Sequence, residues 1–487
     1  MAAGRREEES WVGGGLDIIL RRGGFAEMPA GGRGAMARQS GEQCRMLHCA
    51  RQPILGGTEY MLFRAEKIPV RRRLAHFFRA FLLLLILLIA SRTNLAQEAA
   101  SVQNDLAGRL PQLSDGAEVS LITYTPGEEL YQSFGHSAIR VRDDLLGMDR
   151  LYNFGVFDFE TPNFYVKFAH GDLRYQLAVS QGDEEIRTVG AYGQGVTEVP
   201  LNLSLAQRQA LFEALEVNLL AENRFYLYDF ILDNCSTRPR DVIERVTGAP
   251  VVLRGAGKQT FRDMLDPYFT RMPWVGLGVS LLMGAKVDRP ASPREACFLP
   301  ADLERAVQTS KNGTQNLAAE MKEIFPPEVL PGSAPFLSPI FIFSSGGILW
   351  VLFWLLRRNG HSSWPTAVAL IMLGLLGTFV LVLSLWTHLW VLHENYNLLW
   401  LIPFHLPAGV WLLAAKRRPL FLRWYLWFAF LAAGSFVCFS FLLPQKFNPA
   451  VFPFLLIIAW RCALELFPAK GRQPLLRQPK RPALPGS

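Results

Sequence analysis

Five long apolar stretches in the C-terminal third limit this chain more than any other feature. They run over 337–356, 366–386, 399–415, about 424–443, and 450–468. Each approaches the ~20 residues that a helix needs to cross a hydrocarbon layer of ~30 Å. The third is the shortest and carries Pro403, His405 and Pro407. With half of its 487 residues apolar, the chain is too long and too apolar for one soluble domain. The pattern predicts an all-α, five-helix transmembrane bundle over 337–468.

The basic residues between the stretches give the orientation. Arg357 and Arg358 follow the first, Lys416, Arg417, Arg418 and Arg423 separate the third from the fourth, and Lys470, Arg472, Arg477, Lys480 and Arg481 follow the fifth. The loops after the second and fourth, "THLWVLHENYN" and "PQKFN", hold a single Lys between them. By the positive-inside rule the chain enters the membrane from outside and ends in a basic cytoplasmic tail, 469–487. Residues just before 337 therefore lie outside. An independent signal agrees: "RRRLAHFFRAFLLLLILLIASRTNLAQ" has the basic start, apolar run and small residues of a secretory signal, expected over 61–96 with a cut after Ala96. Residues 1–60 are Gly- and Arg-rich and unpatterned, and are expected to be a disordered or mis-started extension ahead of Met61. The net charge of +8 comes partly from topogenic loops and tails, so it implies no nucleic acid partner.

The exported segment, 97–336, is long enough for its own core. Alternating or β-rich runs predict strands near 118–125, 136–142, 151–157 and 173–180. Ser204 opens a capped helix, and a second helix is expected from about Cys235 through "TRPRDVIERVTG", with Pro239 in its first turn and Gly248 as its stop. Strands followed by helices make this an α+β domain.

Of the six cysteines, Cys44 and Cys49 precede the signal, and Cys438 and Cys462 lie within apolar stretches. Cys235 and Cys297 remain. In "DNCSTRPRD", Cys235 stands at a helix start, where unpaired N–H groups and the helix dipole favour a thiolate, with Arg238 and Arg240 adding positive charge. The exported segment has two histidines, His136 and His170. His136 begins an expected central strand, and Asn153 lies on a neighbouring one, so a nucleophile, a base and an orienting amide are available. Two other readings stay open: an inert buried thiol with a structural histidine, or a disulfide to Cys297, which export permits.

Arg140, Arg238 and Arg240 are candidate phosphate ligands, or else solvated charges. Asn234, beside the thiol, is placed with the candidate binding residues. In the outer loop, His388, His393, Asn395 and Asn397 stand beside tryptophans, where they contact headgroups, close over the site, or simply accompany interface anchoring. Arg461 and Glu465, four residues apart, read as an intramembrane pair. The sequence has no metal-ligand motif, phosphate-cradling loop or dinucleotide fingerprint, so no metal and no cofactor is expected.

The segments "YTPGEELYQSFGHSAIRV", "LYNFGVFDF" and "LDNCSTRPRD", in this order, resemble the exported domain of the Bacteroides-type lipoprotein N-acyltransferases (Lnb). "TFRDML", "GVSLLMGAKVD", "CFLPADL" and the outside loop "HENYNLLWLIPFHL" extend the likeness to roughly 97–468. More distantly, a histidine strand followed by an Asn-Cys helix start resembles the circularly permuted NlpC/P60 group of papain-like folds. The resemblance implies Cys235 as nucleophile, His136 as base and Asn153 as third member. It also implies ping-pong transfer of an acyl chain from a membrane phospholipid to the N-terminal amine of a lipoprotein, on the periplasmic face of a bacterial inner membrane. A periplasmic cysteine hydrolase of the NlpC/P60 kind would use the same pair, and a non-enzymatic membrane scaffold would need neither residue.

Overall fold

Residues that alternate between apolar and polar in the exported segment form a seven-stranded antiparallel sheet. The computed structural model describes residues 109–356, 362–414 and 419–467, all within one unit, Leu106–Ser487. The expected extension 1–60, the signal 61–96, the basic residues 357–358 and 416–418, and the tail 469–487 lie outside the described residues.

The strands are β1 (Glu118–Tyr124), β2 (His136–Asp143), β3 (Met148–Val156), β4 (Arg174–Gln181), β5 (Val196–Pro200), β6 (Phe225–Leu227) and β7 (Lys322–Phe325). Their order across the sheet is β6-β4-β3-β2-β1-β5-β7, which puts β2 in the middle. The first four lie where the alternation places them. The others are short: with three residues, β6 has too little length for a period of two to register.

Both faces of the sheet are covered. Leu121, Ile139 and Tyr152 point to one face and their chain neighbours Ile122, Ala138 and Leu151 to the other, as the pleat requires. The first face packs on α3 (Leu205–Leu219) and α4 (Thr237–Thr247) through Leu211, Phe212, Leu215, Val242 and Ile243. Ser204 and Gln207 close the start of α3 as a capping box, with the Gln207 N–H donating to Ser204 Oγ at 3.2 Å and the Ser204 N–H to Gln207 Oε1 at 3.0 Å. Gly248, at φ 67°, ends α4 in the left-handed conformation that favours glycine. The second face packs on Ile186 of α2 (Gly182–Ala191), a helix the sequence reading did not anticipate, as it did not anticipate α1 (Phe164–His170).

After α5 (Pro273–Leu282), the apolar region forms α6 (Pro339–Leu356), α7 (Trp364–Trp386), α8 (His405–Ala414), α9 (Leu420–Phe439) and α10 (Val451–Leu466). Among the described residues, two helical segments, Trp364–Trp386 and Leu420–Leu442, are long and apolar enough to cross a membrane. α8 is shorter than its apolar stretch because Tyr396–Leu399 forms a tight turn and the helix begins only at His405, with Pro407 in its first turn, where a missing N–H costs nothing. Glycines bring α7 and α8 together: a Cβ at Gly374 would stand 2.1 Å from the Leu406 nitrogen, and one at Gly409 would stand 2.6 Å from the Ala367 oxygen. Arg461 and Glu465 of α10 tie it to the start of α7, since Arg461 Nε donates to Thr366 Oγ1 at 3.0 Å and Thr366 Oγ1 donates to Glu465 Oε1 at 3.1 Å.

Candidate active site

The strand register itself puts a histidine beside an asparagine. Ala138 of β2 lies opposite Asn153 of β3, so His136, two residues away, is the diagonal neighbour of Asn153 on the same face. Its Nε2 lies 3.0 Å from Asn153 Oδ1. The Asn153 amide is in turn fixed by a carboxylate: Nδ2 donates to Glu185 Oε2 at 3.0 Å. Glu185 also accepts from Tyr124 OH at 3.1 Å and from the Ser180 hydroxyl. Because the amide must offer its N–H₂ to Glu185, its oxygen faces the imidazole, and His136 Nε2 must carry a hydrogen. Nδ1 is then the nitrogen left for a proton from elsewhere. The Tyr124 ring, across the ladder from His136, stacks on the imidazole with centroids 5.9 Å apart.

Cys235 is the candidate source of that proton, since its thiol is close enough to the His136 side chain for the charges of the two groups to stabilise each other. Asn234 builds the turn that presents it. Asn234 Oδ1 accepts the N–H groups of Ser236 at 2.8 Å and Thr237 at 2.9 Å, and Nδ2 donates to the carbonyls of Phe230 at 2.7 Å and Phe298 at 2.9 Å. Ser236 Oγ then lies 3.2 Å from Ser137 Oγ, pinning the start of α4 to the strand residue next to His136. An irregularity between Asn153 and Val156 of β3 makes room. Within it Gly155, at φ 89°, takes a conformation that favours glycine, and a Cβ there would meet Cys235 Cβ at 3.5 Å.

Electrostatics favour the charged pair. Burial pushes the Cys235 thiol up, but the adjacent His136 charge, the hydrogen bond with it, the Ser137 N–H and the Ser236 hydroxyl together bring it below the usual thiol range. Burial likewise pushes His136 down, and the charges of Cys235 and Glu185 with the bond to Asn153 raise it above the usual imidazole range. Both shifts widen the pH range in which thiolate and imidazolium coexist. The N–H groups of Ser236 and Thr237, at the start of α4, are already taken by Asn234 Oδ1.

The disulfide alternative does not hold: Cys235 and Cys297 are both free. Cys297 is fully buried beside the carbonyls of Val251 and Pro293, and burial pushes its thiol up to about 11.

The other candidate residues are occupied elsewhere. Arg140, expected as a phosphate ligand, is 4% exposed and engages Asp149 at 2.7 Å, Glu198 at 3.5 Å and Asp183. Arg238 grips Asp233 with Nε at 2.6 Å and Nη2 at 2.8 Å, and Arg240 pairs with Asp241 at 2.6 Å. Arg140 and Arg240 are buried and Arg238 is half-buried, and all three are engaged by the domain's own carboxylates. Asn234 is likewise committed to the turn. In the loop after α7, Asn395 Nδ2 donates to the carbonyls of Leu281 at 2.7 Å and Leu282 at 2.9 Å, and Asn397 Nδ2 donates to that of Ser280 at 3.2 Å, which satisfies the last carbonyls of α5. His393 Nε2 lies 3.1 Å from the Thr387 carbonyl. None of these three reaches Cys235. Trp390, unremarked in the sequence, does reach its support: Nε1 donates at 2.7 Å to Asp229, whose backbone pairs with Asp233 just before the cysteine turn.

One cluster has the composition of a metal site. Ligand atoms of His170, Asp172 and His388 all lie within 4.8 Å of one another, although His170 Nδ1 is already paired with Asp172 at 2.6 Å. His388 lies far along the chain from the other two members, which hides the cluster from a sequence reading. Glu185 escaped notice for another reason: an acidic residue in the first turn of a helix is ordinary.

A sheet-rich domain, in which an imidazole and an amide meet beside a thiol, is followed by an apolar helical region, the arrangement of a membrane protein with a domain outside its helices. The Lnb N-terminal periplasmic domain matches residues 112–266 and the Lnb transmembrane domain matches residues 332–472. The chain belongs to the Lnb family, which places it among membrane proteins of lipoprotein N-acylation and in the acyltransferase class. No curated protein and no solved structure matches it.

Proposed function

We propose that this protein moves a fatty acyl chain from a membrane phospholipid, through a thioester on Cys235, to the α-amine of a lipoprotein's N-terminal cysteine. The observation that carries the reading is the line of side chains Cys235, His136, Asn153 and Glu185, in which each member fixes the protonation or orientation of the next.

His136 Nδ1 takes the thiol proton, and the sulfur attacks the ester carbonyl of the donor. The oxyanion forms beside the Cys235 N–H. On collapse the ester C–O bond breaks, and the imidazolium returns its proton to the departing lysophospholipid oxygen. The acceptor amine then attacks the thioester, His136 receives the amine proton, and collapse releases the amide and restores the thiolate–imidazolium pair. Asn153 and Glu185 keep the ring in place throughout. No cofactor enters this sequence.

In this reading α6 to α10 are five spans of the inner membrane over 337–468, and residues 97–336 form a periplasmic catalytic domain of permuted papain-like type. Fixing that domain at the membrane face spares the extraction of acyl chains into water. Mass spectrometry of lipoprotein N-termini tests the proposal. Cells with the wild-type protein should yield N-acylated lipoproteins, and cells with Cys235→Ala or His136→Ala should not, although each variant accumulates in the membrane. Normal product from Cys235→Ala cells would refute it, and release of free acid or cell-wall peptide in its place would mark a hydrolase.

A further inference from the structure

Helix α1 exposes an apolar surface that water disfavours. None of its residues is buried, and Tyr165 is 79% exposed and Phe168 53% exposed. The helix is also fixed in height. Thr387 Oγ1 donates to the Ala169 carbonyl at 2.8 Å, and the His388 N–H donates to the His170 carbonyl at 2.8 Å. Both donors lie immediately beyond α7, one of the two segments long enough to cross a membrane. The rings of His170 and Trp386 are 4.5 Å apart, so α1 leaves the sheet domain at the level where the apolar layer meets water.

From α1 a series of rings leads inward. Phe164 lies 5.8 Å from Phe157, Phe157 lies 5.1 Å from Tyr175, and Tyr175 stacks on Tyr228 at 4.2 Å. Tyr228 Cε2 and Cys235 Cβ are each 3.5 Å from the position a Cβ would take at Gly155. The exposed aromatic surface and the thiol are thus joined by a run of rings in mutual contact, in which Tyr175 is buried and Phe164, Phe157 and Tyr228 are part-exposed.

We propose that α1 lies in the outer leaflet and that an acyl chain of the donor phospholipid runs along the part-exposed rings of Phe164, Phe157 and Tyr228, delivering its ester carbonyl to Cys235. This rests on the acyl-transfer reading above. The occupant is lipid because the path is continuous with the membrane-level end of α7 and is lined by rings, which accept an acyl chain without hydrogen-bond demands. Tyr165 and Phe168 anchor the entrance, as aromatic residues do at bilayer interfaces.

The test uses the full chain in phosphatidylethanolamine–phosphatidylglycerol vesicles that contain a phospholipid with a diazirine on one acyl chain. After irradiation, crosslinked peptides are mapped by mass spectrometry, and acylation of Cys235 is measured in parallel. Crosslinks should fall within 157–175, and Tyr165→Ser with Phe168→Ser should lower both crosslinking there and Cys235 acylation by about tenfold. Alkylation of Cys235 by iodoacetamide reports that the site is folded in this variant. Crosslinks confined to α6–α10, or wild-type yields from the double variant, would overturn the track. Crosslinks within 157–175 without acylation of Cys235 would keep the lipid track and remove the transfer reaction.

Discussion

Two groupings of histidine and asparagine in this molecule use the same side chains for opposite ends. At the start of β2, His136 and Asn153 meet each other and a thiol, with Glu185 behind them. In the loop beyond α7, His393, Asn395 and Asn397 meet backbone carbonyls. A carbonyl partner only accepts a hydrogen bond, so the loop is a clasp between the last turn of α5 and the helices that follow α7. In the proposed reaction a thiol partner exchanges a proton, and the carboxylate at the far end favours the imidazolium. Residue type alone does not separate the two; the partner does.

The largest effect expected from breaking this contrast is at the thiol and its base. Cys235→Ala and His136→Ala should each lower acyl transfer by about 10³-fold or more, as measured by N-acylated product per unit of membrane protein. His136→Ala also removes the positive charge that lowers the thiol. Burial then dominates, and iodoacetamide labelling of Cys235, which in the wild type should set in below the ordinary thiol value of about 8.5, should require pH above it.

Next in size are the residues that orient the ring. Asn153→Ala should cost roughly 10²-fold in transfer. Glu185→Gln removes a negative charge that raises His136. The imidazolium is then lost at lower pH, so the upper limb of the pH–rate profile should move down while the lower limb, set by the thiol, moves less. An unmoved upper limb would contradict the role assigned to Glu185.

In the clasp, Asn395→Ala should lower thermal stability in detergent by about 1–3 kcal/mol, since it leaves carbonyls of α5 unsatisfied. Iodoacetamide labelling of Cys235 should keep its wild-type pH dependence in this variant. A shifted labelling profile would merge the two groupings into one site. The smallest effect is expected from Cys297→Ala, which removes a buried thiol that makes only long contacts with carbonyls. Its product yield should match the wild type, with a stability change of about 1 kcal/mol.

The sequence made part of this legible because local chemistry carried it. The alternation in "EVSLITY" and "HSAIRVRD", the Ser204 cap and the Gly248 stop are short-range signals, and the elements they mark lie where expected. The pairing of His136 with Asn153 depended only on which strands are neighbours. What stayed hidden depended on contacts between distant segments. Arginines next to a cysteine look like anion ligands until Asp149, Asp233 and Asp241 are seen to hold them. Asn395 and Asn397 look like headgroup ligands until the carbonyls of α5 fill their reach. Glu185 and Trp390 act through positions reached only by folding, and α1, a single short exposed helix, has no buried stripe for periodicity to reveal.

The central claim is a covalent intermediate, and it can be weighed directly. Purified protein in phospholipid vesicles, with no amine acceptor, should gain the mass of one acyl chain on the peptide that contains Cys235, labile to hydroxylamine and absent from His136→Ala protein. Acylated lipoprotein produced on adding acceptor, without any acyl adduct ever trapped at Cys235 or with one carried by another residue, would contradict the account.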